Sequence, residues 1–233
     1  RQRPSERLAR QLADALHLQG QDRLAFLVAA GCGGPAASAP QLTFLGKVEL
    51  AHGLLFADTT VGGLSGITYD AGRNQYYVIS DDRSAKAPAR FYTVRITLSG
   101  SVLAKVELVA TTPLLNTDGT PFAPLTATTV PPDPEGIAFD AGRQQLYWSS
   151  EGERIVKPGE PPVLLDPWVR AAALDGTFRG EFTLPPELHM SINETGPRKN
   201  QALEGLTLGV GPSLNPGSSI PAHSAEPSGV NVR

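Results

Sequence analysis

Hydrophobic and polar residues alternate along the chain in short runs, and one arrangement of these runs occurs twice. Residues 62–82 read GGLSGITYDAGRNQYYVISDD, and residues 132–152 read PDPEGIAFDAGRQQLYWSSEG. Aligning Gly66 with Gly136 superposes the two segments without a gap, at an offset of 70 residues. The opening of the unit occurs a third time in residues 202–208, ALEGLTL. Such internal repetition predicts one supersecondary unit that is stacked on copies of itself.

Each copy has the pattern of a β-hairpin. Apolar or aromatic residues alternate in two runs, and the Gly-containing turn between them starts at Asp70 or Asp140, whose side chain can bond nearby backbone. A second pair of alternating runs follows in both copies, around Ser99-Gly100 and Asp175-Gly176, which are dipeptides typical of tight turns. Each unit therefore predicts four antiparallel strands, the content of a propeller blade. We predict an all-β chain, a partial β-propeller of four-stranded blades with a short N-terminal helix.

The segments outside the repeats complete the predicted organisation. Leucines spaced by four between Ser5 and Gln19 predict a short amphipathic helix, with an extension lacking a fold of its own as the alternative. Alternation over residues 42–50 predicts a strand before the first blade. Residues 209–233 are dense in Gly, Pro and Ser, and we predict that they are disordered. The predicted regions are residues 1–40, the blades at 41–208 and the tail at 209–233. A third blade that starts and then stops predicts a truncated or frame-shifted chain of marginal stability.

Composition excludes several classes of protein. The 233 residues carry a net charge of −3, and no basic stripe with interleaved aromatics predicts a nucleic-acid partner. No apolar run is long enough to predict a membrane-spanning helix. Cys32 is the single cysteine, which excludes an internal disulfide and a cysteine-based zinc site.

The segment before Cys32 is similar to a bacterial lipoprotein signal. Arg23 precedes a short apolar run, Ala30-Gly31-Cys32 resembles the cleavage box, and a flexible Gly, Pro, Ala and Ser tether follows. The resemblance implies lipidation of Cys32, an extracytoplasmic location and contact with a membrane only through that anchor. The alternative is a fortuitous Ala-rich segment with a buried free cysteine.

Acidic residues occur at equivalent ends of the predicted strands. Ser65, Glu135 and Glu204 precede the repeated glycines, and the first strands of successive blades converge near a propeller axis. Acids also end each hairpin. Oxygen ligands that arrive from several blades suit Ca²⁺, whereas the alternative is that these acids cap turns or pair with arginines. We predict as metal ligands Asp81, Asp82, Glu135, Glu151 and Glu204.

Three arginines accompany these acids, namely Arg83, Arg90 and Arg154. A planar guanidinium suits bidentate binding of phosphate, so we predict a substrate-binding role, with surface ion pairing as the alternative. Ser65 precedes a strand where a serine-hydrolase elbow leads into a helix, and the four histidines lie outside the repeats. No catalytic residue is assigned, and a metal-activated water fits the available side chains better than a nucleophilic triad.

Over residues 42–208 the chain resembles the phytase-like domain family of esterase-like phytase proteins. The resemblance rests on three groups of motifs in chain order: GGLSGITYD with YYVISDDRS and ARFYTV, then DPEGIAFD with LYWSSEGER, and then NQALEGLTL. The resemblance implies a secreted or lipid-anchored bacterial propeller that hydrolyses phosphate or related small-molecule esters with a divalent metal such as Ca²⁺. Glu135 is also similar to a metal-binding glutamate at the start of gluconolactonase-type propellers. The alternatives are a non-catalytic propeller that binds a ligand or partner, and an inactive fragment. No specific protein partner is inferred.

Overall fold

Two four-stranded antiparallel sheets dominate the computed structural model, which describes residues 42–193 and 195–209, separate positions between residues 11 and 27, and the backbone of residues 230–232. Contacts divide the chain into two units, residues 1–44 and 45–233. In the first unit Gln11, Leu12, Asp14 and Ala15 are helical, and the Leu16 N–H donates to the Leu12 carbonyl at 2.9 Å. The ends of the predicted helix lie outside the described residues. Among the described residues, no helix is long and apolar enough to cross a membrane.

The first sheet, which we call blade one, contains the first copy of the repeat. A short ladder of β1 (Leu55–Phe56) and β2 (Thr59–Thr60) precedes it. The four strands of blade one lie in chain order, each antiparallel to the next. They are β3 (Leu64–Asp70), β4 (Gln75–Ser80), β5 (Arg90–Ser99) and β6 (Val102–Pro113).

The second sheet, blade two, repeats this order with one hairpin inserted. Its strands are β7 (Pro134–Asp140), β8 (Gln145–Ser150), β11 (Trp168–Ala173) and β12 (Phe178–Glu181). The inserted hairpin pairs β9 (Glu153–Ile155) with β10 (Val163–Leu165). A 3₁₀ turn at Pro186–Leu188 follows, and then β13 (Leu206–Leu208) pairs with β14 (Val230–Val232). The prediction of an all-β chain with four-stranded, propeller-like blades is confirmed.

The same turn chemistry closes both inner hairpins. Asp70 Oδ1 accepts the Arg73 backbone N–H at 3.1 Å, and Asp70 Oδ2 accepts from Arg73 Nη1 at 2.7 Å and from the Tyr77 hydroxyl at 3.1 Å. Burial raises the pKa of Asp70, but these hydrogen bonds outweigh burial and hold the pKa below its ordinary value. The second copy forms the corresponding contacts among Asp140, Arg143 and Tyr147.

The main hydrophobic core joins the two blades. Tyr77, Ile79 and Phe91 of blade one form one buried cluster with Ile137 and Phe139 of blade two. The rings of Tyr77 and Phe139 lie 5.5 Å apart. Because this core includes residues from both copies of the repeat, neither blade buries its hydrophobic face alone.

The repeated glycines allow close approach of the inner strands. A Cβ at Gly66 would lie 2.8 Å from the Glu135 carbonyl oxygen and 3.1 Å from the Ile137 nitrogen. The equivalent Gly136 has the same role one blade further along, because a Cβ there would lie 2.7 Å from Leu206 Cβ. The glycines that align the repeats therefore mark the points where successive blades touch.

We expect Gly66→Ala to lower the free energy of unfolding by about 1–3 kcal/mol, because the added methyl group must push apart two backbone segments. Urea unfolding monitored by tryptophan fluorescence measures the change. Gly62→Ala is the matched control, since a Cβ at Gly62 meets no atom within 4 Å, and its effect should stay within about 0.5 kcal/mol. Equal stability of the two variants would contradict close packing at Gly66.

Two segments differ from the predictions. Residues 42–50 form no strand, because Gly46 adopts φ 128° and interrupts the alternating run. A hydrogen bond from the Leu103 N–H to the Leu45 carbonyl, 2.8 Å long, connects this segment to β6. At the other end, the tail that we predicted as disordered contains β14 (Val230–Val232), which pairs with β13. Residues 210–229 lie outside the described part of the chain.

Candidate functional site

Three buried carboxylates meet where the inner strands of blade two begin and end. Asp133 precedes β7, Glu135 lies within β7 and Glu151 follows β8. One carboxylate oxygen from each residue lies within 4.8 Å of the other two. The three residues are 7%, 9% and 1% exposed, respectively. We call these three residues the acidic trio.

The backbone at this point explains why the three residues converge. Asp133 and Glu135 are two residues apart in an extended segment, so their side chains share one side. The Asp133 N–H donates to Ser150 Oγ at 3.0 Å, and the Glu151 N–H donates to the Asp133 carbonyl at 3.3 Å. Ser65 Oγ of blade one donates to the Glu135 carbonyl at 2.9 Å. These bonds hold the end of β8 beside the start of β7.

Burial and the crowding of negative charge raise the pKa values of Glu135 and Glu151. Burial raises the pKa of Glu135 to about 8, and the nearby carboxylates Asp133, Glu204, Glu151 and Asp81 add to the rise. Burial also raises the pKa of Glu151 to about 7, with a further contribution from Asp133. Without a bound metal, Glu135 and Glu151 therefore retain protons near neutral pH.

One cation, Arg83, pairs with the trio, and a second, Lys199, pairs with the neighbouring Glu153. Arg83 of blade one forms ion pairs with Asp133 and Glu153, and its Nη2 lies 3.9 Å from Glu151 Oε1. Lys199 Nζ lies 3.2 Å from Glu153 Oε1. Burial raises the pKa of Glu153, but these two cations outweigh burial and lower it. Arg83 thus joins the loop after β4 of blade one to acidic residues of blade two through ion pairs.

The trio lies beside a polar cleft of about 540 Å³, which we call the acidic cleft. Asp133 and Glu135 belong to its lining, whereas Asp81 and Glu204 are exposed carboxylates on its wall. The lining residues are Asp81, Arg83, Asp133, Glu135, Glu153, Lys199, Asn200 and Glu204. A small ligand that enters this cleft meets both signs of charge.

Comparison with known proteins identifies the family. A family model named Phytase-like, with the description "Esterase-like activity of phytase", matches residues 59–213, which is more than half of the 233 residues. The chain belongs to the Phytase-like family. Neither the curated proteins nor the solved structures contain a match to it. The matched residues include blade one, blade two and the acidic trio of this Phytase-like chain.

The structure brings three of the five predicted metal ligands, Asp81, Glu135 and Glu204, to one cleft, and a fourth, Glu151, lies buried beside Glu135. Glu135 and Glu151 belong to the trio, and Asp81 and Glu204 lie within reach of Glu135, whose pKa they raise. Their role as metal ligands stays a prediction. Asp133 was not predicted, because the repeat aligns it with Gly63, which has no side chain. Its position two residues before Glu135, on the same side of the strand, was the signal that could have revealed it.

Asp82 and Arg90 lie in a network of their own, and their predicted roles in binding a metal and a substrate stay predictions. Asp82 accepts backbone N–H bonds from Ala85, Lys86 and Ala87 at 2.9–3.1 Å and pairs with Arg90 at 2.9 Å. Arg90 is buried, and it also donates to the Thr60 carbonyl and the Tyr92 hydroxyl, both at 2.8 Å. The side chains of Asp81 and Asp82 point in different directions because the two residues are consecutive in an extended segment. Asp82 and Arg90 therefore stabilise the loop after β4, whereas Asp81 lines the cleft.

Two other predicted residues stay predictions. Arg154 lies on β9 opposite Leu164 in the inserted hairpin of this Phytase-like chain, and its N–H donates to Glu153 Oε1 at 2.9 Å. A role of Arg154 in substrate binding is untested. Cys32, the predicted lipidation site, lies outside the described residues.

The chemistry of the cleft is that of clustered oxygen ligands. Three carboxylates so close together repel one another when ionised, and a divalent cation relieves that repulsion. Carboxylate oxygens are the ligands that Ca²⁺ and Mg²⁺ bind in proteins. The donor set of the trio therefore fits a hard divalent cation.

Proposed function

We propose that the chain is a hydrolase of phosphate or related esters whose site is the acidic cleft and whose metal is Ca²⁺. The observation that carries this proposal is the acidic trio, with its ligand oxygens within 4.8 Å of one another. Membership of the Phytase-like family supports hydrolysis of esters. The exclusively oxygen donors support Ca²⁺ over metals that favour nitrogen or sulfur ligands.

The residues of the cleft divide the work. Asp133, Glu135 and Glu151 hold the cation, which supplies Lewis acidity and an acidified water when bound. Arg83 and Lys199 line the cleft as N–H donors and bind the anionic or carbonyl oxygens of the ester. Asp81 and Glu204 remain as exposed carboxylates, and they accept the proton that a water loses as it attacks.

Removal of the metal is expected to lower ester hydrolysis by about 100-fold or more, because Lewis-acid stabilisation is worth several kcal/mol. Release of nitrophenol from p-nitrophenyl phosphate and p-nitrophenyl acetate, and of phosphate from phytate, measures the rate with Ca²⁺ and with chelator. Glu135→Gln should cause a similar loss in saturating Ca²⁺ and should weaken Ca²⁺ binding in calorimetry.

Glu160→Gln is the matched control, since Glu160 pairs with Lys157 on an exposed loop away from the cleft. This variant should keep the full rate and the full affinity for Ca²⁺. Hydrolysis that persists in chelator, or a Glu135→Gln variant as active as Glu160→Gln, would overturn the proposed metal-dependent site.

One observation favours a second function, in which the cleft binds a ligand without catalysis. Arg83 already pairs with Asp133 and Glu153, so part of the acidic charge is balanced within the protein. In that case the chain turns over none of the three substrates, and Ca²⁺ does not raise its melting temperature. The proposed hydrolase requires the opposite result in both measurements, because a ligand that binds the native state raises its stability.

A further inference from the structure

A second cleft, of about 490 Å³, lies beside β11 and has largely apolar walls. We call it the aromatic cleft. Its volume falls in the range of pockets that bind small organic ligands. The loop before Asp133 forms one wall, and the inserted hairpin and β11 form the other. The apolar residues of the lining include Phe122, Val130, Leu164, Leu165 and Trp168.

The aromatic side chains of this cleft are held in place from behind. Trp168 packs edge to face on Trp148, with the ring centroids 4.5 Å apart. Phe122 packs on the same Trp148 at 6.0 Å. Since Trp148 is 1% exposed and belongs to the main core, the two rings at the cleft rest on a fixed support. An aromatic ligand would find preformed ring surfaces where the Arg170 guanidinium, 4.1 Å from the Trp168 centroid and 5.9 Å from that of Phe122, leaves these rings uncovered.

One cation is poised in the same cleft. The Arg170 guanidinium lies over the Trp168 ring, 4.1 Å from its centroid, and Arg170 Nε donates to Glu181 Oε2 at 2.7 Å. In the part of the chain that the structure describes, neither Nη nitrogen of Arg170 has a hydrogen-bond acceptor. Stacking on Trp168 fixes the plane of these N–H donors. They can therefore bind a carboxylate on a ligand.

The lining also contains one acid, Asp166, which would repel an anion if it faced the same point. Asp166 Oδ1 accepts the Met190 N–H at 2.6 Å, and Oδ2 lies 3.8 Å from His189 Nδ1. Oδ1 of Asp166 thus has a hydrogen-bond partner and Oδ2 lies beside His189, and in the described part of the chain no contact joins Asp166 to Arg170. The positive charge of Arg170 faces one acid, Glu181, which is bonded through Nε and leaves the Nη edge available.

The aromatic cleft adjoins the acidic cleft along two short segments. Pro132, Ser150 and Gly152 line the aromatic cleft, and each precedes a residue of the acidic site in sequence. Consecutive residues have Cα atoms about 3.8 Å apart. The backbone that lines the aromatic cleft therefore continues directly into residues of the acidic site. The residues that follow these three are Asp133, Glu151 and Glu153.

We propose that the aromatic cleft binds an aromatic carboxylate, with its ring against Trp168 and Phe122 and its carboxylate on the Nη groups of Arg170. Stacking and a charge-assisted hydrogen bond are the two interactions that the walls offer together. The binding site stands on its own geometry. The proposed function enters only when the ligand is assigned as the aromatic part, or product, of an ester that the acidic cleft hydrolyses.

Titration of the full chain with benzoate tests this site, because Trp148 and Trp168 are its two tryptophans and both adjoin the cleft. Benzoate should change tryptophan fluorescence with saturation. Cyclohexanecarboxylate has the same charge without an aromatic face, and benzyl alcohol has the ring without the carboxylate. Both should bind at least about tenfold more weakly, which corresponds to the loss of one such interaction.

Two pairs of variants locate the site. Ala123→Phe fills the cleft from an exposed position, and Ala127→Phe adds the same ring to an exposed position that does not line it. Arg170→Gln removes the proposed anion donor, and Arg179→Gln removes an exposed arginine of β12. Ala123→Phe and Arg170→Gln should weaken benzoate at least about tenfold, whereas the two controls should keep it. Near-ultraviolet circular dichroism verifies that each variant is folded.

Each outcome decides one proposal. Equal binding of benzoate and cyclohexanecarboxylate, or unchanged affinity in folded Ala123→Phe and Arg170→Gln, would refute the aromatic carboxylate site. Benzoate binding in a chain that hydrolyses no ester would retain this site and reject the proposed function. Hydrolysis that depends on Ca²⁺ in a chain that does not bind benzoate would do the reverse.

Discussion

Raising the pH of the metal-free protein from 5 to 8 is expected to lower its free energy of unfolding. Glu135 and Glu151 have pKa values of about 8 and about 7 in the folded chain, against an ordinary value of 4.5. Between pH 4.5 and 7 the folded state therefore holds more protons than the unfolded state. Stability is fully present below the ordinary pKa and is lost as the pH rises through the folded values.

The expected loss is large because both carboxyls are buried. Each contributes a slope of up to about 1.4 kcal/mol per pH unit, so the total loss by pH 8 is of the order of several kcal/mol. Carboxyls with lowered pKa values, such as Glu153 and Asp70, act in the opposite direction, but they lose their effect only below their ordinary values near pH 4. Their titration lies outside the window between pH 5 and 8.

Urea unfolding of metal-stripped protein at pH 5, 6, 7 and 8 measures this slope. Glu135→Gln should flatten it, because the amide stays neutral at every pH, whereas Glu160→Gln should leave it unchanged. Saturating Ca²⁺ should also flatten it, since a bound cation favours the ionised carboxylates. Stability that is constant or increases between pH 5 and 8 without metal would show that the trio is not held in the buried, crowded arrangement described above.

The blades could be predicted from sequence because the interactions that form them are local and repeated. Asp70 and Asp140 close their turns with groups three and seven residues away, and both copies carry the same residues at these positions. The glycine that aligns the repeats could also be recognised, although its reason could not. Only the packing of Gly66 against the Glu135 carbonyl shows that the glycine is required by the next blade.

The candidate site was predicted in part, because comparison of the copies detects what they share and misses what differs. Glu151 aligns with Asp81; Asp81 lines the acidic cleft, and Glu151 is buried in the trio behind it. Asp133 aligns with Gly63, where φ is +56° and a Cβ would lie 1.6 Å from Asp81 Oδ1. Blade one thus has no room for the carboxylate that completes the trio in blade two.

Residues outside the repeat could not be identified by aligning its two copies. Lys199 lies in the loop before β13 and reaches Glu153 across a gap of 46 positions in sequence. The contact between Lys199 and Glu153 depends on tertiary structure, and no local sequence pattern in the loop predicts it. The loop contacts of Asp82 were likewise not predicted, since its side chain accepts the backbone N–H groups of residues 85–87.

Replacing Arg83 with Met is expected to lower the free energy of unfolding by about 3–5 kcal/mol at pH 7, because removal of one partner leaves buried carboxylates unpaired. Arg83 is 18% exposed in its side chain, and its partners Asp133 and Glu153 are 10% and 6% exposed. The variant keeps an apolar stem of similar length, so lost packing contributes little. Lys105→Met is the control, since Lys105 pairs with Glu107 at the surface, and it should cost less than about 1 kcal/mol.

Three further measurements separate the charge effect of Arg83 from a packing defect. The loss in Arg83→Met should shrink at pH 5, where Glu135 and Glu151 hold their protons and the cluster carries less charge. Adding Glu153→Gln to Arg83→Met should cost less than the sum of the two single changes, because the two residues share one ion pair.

Ca²⁺ should restore part of the stability of Arg83→Met and should bind it more tightly than the parent, since a competing cation beside Asp133 and Glu151 has been removed. A parent and variant of equal stability would mean that Arg83 does not hold the blades together. A destabilised variant that Ca²⁺ does not rescue would mean that the acidic trio needs its arginine and has no site for a metal. Rescue by Ca²⁺ would therefore indicate that the same acidic trio contributes to the stability of the two blades and binds the metal of the proposed reaction.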